Sequence, residues 1–253
     1  IAAPFSLQTM TRVGSYAGDL GIEPGARVDS RNSAMSLVAN MLGQPELLAR
    51  SKPLTVVHNG EIFEGTFMEL AKGSDRANIS KNDPILKCSK KSYNNPQLLK
   101  SIADIQIVDF LCCNVDRHGG NLTYVVDNSD PNRPKVTGVQ GIDNDMSFGV
   151  NPMGGDESFF KGTTTFNDIL VISRSMADKV LAMDEKKYLH SLRGQGLERE
   201  ACHAAVDRLR TLQEKIREGE KHFEGEESDR LERGRLRVVS DGEWGKISLD
   251  TLA

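Results

Sequence analysis

Two short segments carry the residue types that do chemistry. The first, Val115-Asp116-Arg117-His118-Gly119-Gly120-Asn121-Leu122, sets an aspartate and an asparagine on a glycine-bearing stretch. The second, Gly141-Ile142-Asp143-Asn144-Asp145-Met146-Ser147-Phe148-Gly149, brings a further aspartate after an apolar run. An asparagine oxygen and a carboxylate are hard ligands of the kind Mg²⁺ takes, with water and substrate phosphates completing its octahedron. A second carboxylate nearby can orient or accept the proton of an attacking hydroxyl. Together these are the protein-side requirements of phosphoryl transfer, which asks for positioning and charge neutralisation and little covalent chemistry. Asn121 and one of the aspartates Asp116 and Asp143 are the candidate ligands, and the other aspartate is the candidate for the proton. Asp, Asn and Gly are also what a plain polar turn uses; it is the pairing of the two segments that favours a site. Asn144 and Asp145 read either as turn formers or, for Asp145, as a supplementary ligand. Arg117 reads as structural, paired with a carboxylate.

Positioning falls to the flanking elements. Pro96 opens a helix with Leu98, Leu99, Ile102, Ile105, Val108 and Leu111 on a broad apolar stripe, so the first segment leaves a core helix. Leu122 to Val126 and Val136 to Ile142 read as two strands joined by a turn over 127–134, and folding that hairpin brings Asn121 and Asp143 together. Upstream, Asp29 or Ser30 is the expected N-cap of a helix over 30–42, closed by Gly43. Asn59-Gly60 between two β-prone runs predicts a hairpin over 53–69, because both turn residues need positive φ. Residues 1–28 are punctuated by glycines and read as irregular, and 74–95 read as a connection. Helices are expected at about 166–182, 184–192 and 198–217. The last has Cys202, Ala205, Val206, Leu209, Leu212 and Ile216 on one face. A strand is expected near Val238 and Val239, with Trp244 packing beside it. The joint between a small mixed N-terminal piece and a helix-rich C-terminal piece falls near 70–75.

Composition removes several classes. The chain has 253 residues, 38% of them hydrophobic and 27% charged, with a formal net charge of −4. That slight acidity argues against a nucleic-acid binder working through a basic face. No run approaches the ~18 apolar residues of a membrane helix, so stable membrane insertion is not expected. Cys88, Cys112, Cys113 and Cys202 form no CxxC pair, which points to reduced thiols and away from a zinc site built with His118. No G-x-S-x-G arrangement supports a hydrolase.

The pair DRHGGN and IDNDMSFG resembles the catalytic and metal-binding loops of the phosphoinositide 3-/4-kinase-like branch of the protein-kinase-like superfamily. It is most similar to the atypical group containing actin-fragmin kinase and bacterial kinase-like proteins. The resemblance implies an α+β, bilobal kinase-like fold with an incomplete N-lobe over 1–72 and a helical C-lobe over 73–253 that carries the catalytic hairpin. It implies Asp116 as the catalytic aspartate, His118 as the loop histidine, and Asn121 and Asp143 as magnesium ligands. Thr66 to Leu70 falls where the family has its interlobe hinge (66–72). Phe67, Met68, Glu69 and Leu70 would then hold adenine by their backbone, with Ile142 also at the nucleotide. The implied cofactors are ATP and Mg²⁺, and the implied acceptor is a Ser/Thr hydroxyl on a protein, a host protein being one candidate. A phosphoinositide headgroup is the alternative acceptor. The implied location is the bacterial cytoplasm or, for a secreted effector, a host cytosol.

One departure matters. No lysine precedes Lys52, whereas the family holds the α/β-phosphates with a glycine-rich loop and a lysine on its third strand. Gly14-Ser15-Tyr16-Ala17-Gly18 is the one loop candidate, and the first strands are expected upstream of Ile1. A pseudokinase or binding scaffold that keeps the fold without turnover is therefore a second expectation.

Overall fold

The computed structural model describes residues 21–22, 26–75, 95–117, 119–127, 129–130, 135–150, 171–223 and 236–247. They form a mixed α+β chain of helices and three small sheets. The Gly14–Gly18 loop candidate and His118 lie outside the described residues.

Helix α1 (Val28–Met41) is followed by a short 3-10 turn, Pro45–Leu47, and the antiparallel hairpin β1 (Ser51–His58) and β2 (Glu61–Met68). Its turn takes the left-handed backbone that Asn-Gly tolerates, with φ of 52° at Asn59 and 81° at Gly60. Strand β3 (Ser74–Asp75) then pairs with β4 (Leu122–Asp127), which pairs with β5 (Lys135–Gly141), all antiparallel. Between β3 and β4 in sequence lies α2 (Pro96–Cys112), with Asn95 capping it by accepting from the Gln97 N–H at 2.9 Å. Strand β6 (Val171–Ser173) leads straight into α3 (Arg174–Leu181), then α4 (Glu185–Gly194) and the long α5 (Arg199–Phe223). Strand β7 (Arg237–Val239) pairs in parallel with β6, and a 3-10 turn, Asp241–Lys246, follows.

The main core joins Ala34, Met35 and Val38 of α1 to Leu98, Ile105, Val108 and Leu111 of α2, Val136 and Val139 of β5, and the buried faces of α3 to α5. The expected α5 stripe, Cys202 to Ile216, is buried at every position named from the sequence. Trp244 packs with Val239, Val171, Leu99 and Ala103 in a second cluster.

Several boundaries differ from expectation: Ser74–Asp75, inside the expected connection over 74–95, pairs as β3, and α5 continues to Phe223 beyond the expected 217. Helix α1 begins at Val28, with Arg27 at the cap position, so Asp29 and Ser30 sit inside its first turn. Asp29 interacts there with the Arg27 guanidinium at 2.6 Å, and an acidic residue in a first turn suits the helix dipole. Residues 171–173 are a strand and not the middle of a helix; Ser173 ends it by capping α3, accepting from the Met176 N–H at 3.2 Å. The β1–β2 ladder runs over 51–68 and not 53–69.

Candidate functional site

The site is built where α2 stops. Cys113 takes a left-handed conformation (φ 49°) that ends the helix and turns the chain into the loop carrying Asp116. Asn114 fixes the turn by donating to the Asp109 carboxylate on α2 at 3.1 Å and accepting from the Asp116 N–H at 3.2 Å. Two backbone bonds lace this loop to the second segment, Val115 N–H to the Met146 carbonyl (3.2 Å) and Phe148 N–H to the Cys112 carbonyl (2.5 Å). At the β4–β5 end, the Ile142 N–H donates to the Asn121 carbonyl at 3.0 Å. Asn121 closes the group: its amide nitrogen donates to the carbonyl of Asp116 at 2.8 Å and to its carboxylate at 3.0 Å.

Four side chains therefore gather: Asp116, Asn121, Asp143 and Asp145. Asp143 is exposed, with φ of 54°, and the Asp145 carboxyl interacts with both Asp143 and Asp116. Burial, then the Asp143 and Asp116 charges, push Asp145 up to about 6. An acid that resists ionising beside two other carboxylates marks a place where a cation would relieve repulsion. Among the described residues no three Asp, Glu, His or Cys side chains form a ready-made metal cage. The Asn121 amide nitrogen is spent on Asp116, so any cation held by this side chain would be met through its oxygen.

The organiser is Arg117. Its buried guanidinium bonds the Asp109 carboxylate at 3.0–3.3 Å, the carbonyls of Asn121 and Ile142 at 2.9 Å each, and the Asn144 side-chain oxygen at 2.5 Å. One side chain thus ties α2, the first segment and the second. Burial pushes the Asp109 carboxyl up, opposed by Arg117 and Asn114. Gly141 makes room for this guanidinium, since a Cβ there would lie 2.7 Å from it.

Helix α1 holds the second segment from outside. The Asn32 side-chain oxygen accepts from the Asn144 N–H at 3.1 Å, and Arg31, 1% exposed, donates to the Ser147 carbonyl while pairing with Glu198 at 2.7 Å. Neither residue was singled out as part of the site from the sequence. Asp29 and Ser30 read from the sequence only as cap candidates, yet all five polar residues of Asp29-Ser30-Arg31-Asn32-Ser33 are buried.

The expected adenine segment is held by the hairpin base and the second sheet. Phe67 and Met68 end β2, the Glu69 N–H donates to the Arg50 carbonyl at 2.9 Å, and Leu70 is 95% exposed. The chain then crosses to the second sheet. The Lys72 N–H donates to the Gln140 side-chain oxygen at 2.6 Å, and the Lys72 carbonyl accepts from the Thr123 hydroxyl at 2.8 Å. This staples 69–72 to the sheet two residues from Asn121 and Ile142. Ile142 itself is half-buried beside Arg117. No protein-family model matches the chain, and no curated protein matches it significantly.

Proposed function

We propose that the protein is an ATP- and Mg²⁺-dependent phosphotransferase of the phosphoinositide-kinase-like, atypical type, acting on Ser/Thr hydroxyls of a protein. The observation that supports this reading best is the gathering of Asp116, Asn121, Asp143 and Asp145 on two loops that the buried Arg117 guanidinium ties together through the Asn121 and Ile142 carbonyls and the Asn144 side chain. Asn121 and Asp143 would hold Mg²⁺, which supplies neutralisation of phosphate charge when bound. Asp116, fixed by Asn114 and Asn121, would orient the acceptor hydroxyl and take its proton. Asp145 stands beside both carboxylates as a third anion, and Arg117 and Asn32 act as positioning residues. Residues 67–70 would carry the adenine contact and Ile142 the nearby nucleotide contact, as the family resemblance implies.

The test is Mg²⁺-dependent transfer from radiolabelled ATP, with Asp143→Ala beside the wild type. Replacing the ligand is expected to lower transfer by about 10³-fold or more, the scale on which single electrostatic contributions act; unchanged transfer rejects the metal assignment. A scaffold without turnover is the second reading. It is favoured by Lys52, the earliest lysine, standing on β1 over the Phe67 ring. Nucleotide binding without transfer in the same assay selects it.

A further inference from the structure

A cavity of about 500 Å³ lies between α1, the base of the β1–β2 hairpin and Gln195 just beyond α4. It shares no residue with the Asp116–Asn121–Asp143–Asp145 cluster, although Phe67 and Glu69 of the proposed adenine segment also line it, and its size falls in the small-molecule range. Its chemistry is mixed. Lys52 brings an ammonium group, 5.7 Å from the centre of the Phe67 ring. Arg50 also lines it, but its guanidinium is committed to Glu69 at 2.7–2.8 Å. Asn40 and Gln195 bring amides that both donate and accept, and Leu37 and Phe67 bring apolar surface.

We propose that this cavity binds a small phosphorylated polyol, with Lys52 taking the phosphate and Asn40 and Gln195 the hydroxyls. The planar fork that would clamp a carboxylate is already occupied in Arg50, whereas a lysine serves phosphate as a compact point charge. Amides that donate and accept match hydroxyls, which do the same, and the Phe67 and Leu37 surface suits a carbon skeleton. The binding has a reach beyond the cavity. Asn40 lies on the same helix as Asn32, whose side chain accepts the Asn144 N–H of the second segment. A ligand that steadies α1 therefore steadies that bond. The inference rests on these contacts and not on phosphotransfer.

Glucose 6-phosphate, glucose and inorganic phosphate, each titrated into the intact protein by calorimetry, test it. Glucose 6-phosphate is expected to bind saturably, at least tenfold more weakly to Lys52→Met and to Asn40→Leu, both exposed positions. It is expected to slow hydrogen exchange of the Asn144 amide in the wild type. Asp143→Ala is expected to bind it unchanged, so loss of the proposed magnesium ligand leaves this result intact. Absent saturable binding, equal binding of inorganic phosphate alone, wild-type binding by Lys52→Met, or unaltered Asn144 exchange overturns the proposal.

Discussion

The loops around Arg117 and the β1–β2 hairpin reach order by opposite routes. In the loops and the α2 turn beneath them, Asp109, Asn114, Arg117, Asn121, Asn144 and Ser147 are all below a tenth exposed, and each side chain makes at least one hydrogen bond. In the hairpin, apolar side chains are exposed: Val57 and Ile62 are 68% and 69% accessible, and Leu54, Val56 and Phe63 are also exposed. The hairpin owes its form to a two-residue turn and a continuous ladder. The loops have no such repeat and owe theirs to specific side-chain bonds. A region of the second kind is sensitive to single polar replacements, because each leaves a buried partner unsatisfied. A region of the first kind tolerates side-chain replacement.

Arg117→Met strains this contrast most. It removes the cation from the buried Asp109 carboxylate and the donor from two carbonyls and the Asn144 oxygen. Stripping one partner from a buried ion pair costs about 3–5 kcal/mol, read as a lower urea midpoint. Arg117→Lys should recover little of it, since one ammonium cannot reproduce the fork. A loss below 1 kcal/mol would mean the loops are held by their backbone bonds alone.

Asp145 gives the next largest effect, and its sign is opposite. Its folded value of about 6 lies above the ordinary carboxyl value of 3.8, so the folded state binds a proton the unfolded state has lost. Stability contributed by that proton is present below the unfolded value and falls as pH rises through 6. Asp145→Asn should therefore stabilise the protein above pH 6, by up to about 3 kcal/mol if the shift is fully expressed, and flatten stability between pH 4 and 6. Thermal melts across that window measure both. Mg²⁺ should reproduce part of the gain in the wild type at pH 7.

Gly141→Ala and Asn32→Ala sharpen the comparison at a smaller scale. The first forces a methyl into a guanidinium pinned by Asp109, Asn121, Ile142 and Asn144, an overpacking cost of about 1–3 kcal/mol. The second leaves the buried Asn144 N–H without its acceptor, at about 1–2 kcal/mol. It should also speed exchange of that amide, which a general loss of stability would not single out.

The two regions also differ in how far they could be read from residues alone. The hairpin was legible because Asn59-Gly60 is a local signal, as were the α2 and α5 stripes, whose period is written along one segment. The gathering of Asp116, Asn121 and Asp143 was legible because a single hairpin closes it. Arg31 and Asn32 were not, since their partners Ser147 and Asn144 lie more than 100 residues away and no periodicity marks a buried polar helix start. Strand β6 was missed for the same reason: three residues pair in parallel with Arg237–Val239, and so short a run beside a helix carries no alternation of its own.

The smallest expected effect lies in the hairpin. Ile62 is mostly exposed on β2 and faces Val57 across the ladder. Ile62→Thr keeps the β-branch that suits a strand and removes apolar surface that was in water already. Its cost should stay within about 0.5 kcal/mol, the range of ordinary surface substitutions, with circular dichroism and the urea midpoint unchanged. The same exchange at Val136, buried in the main core, places an unpartnered hydroxyl there and should cost about 1–3 kcal/mol. If Ile62→Thr costs as much as Val136→Thr, the hairpin face is covered in solution, and its order depends on packing in the way the loops depend on Arg117.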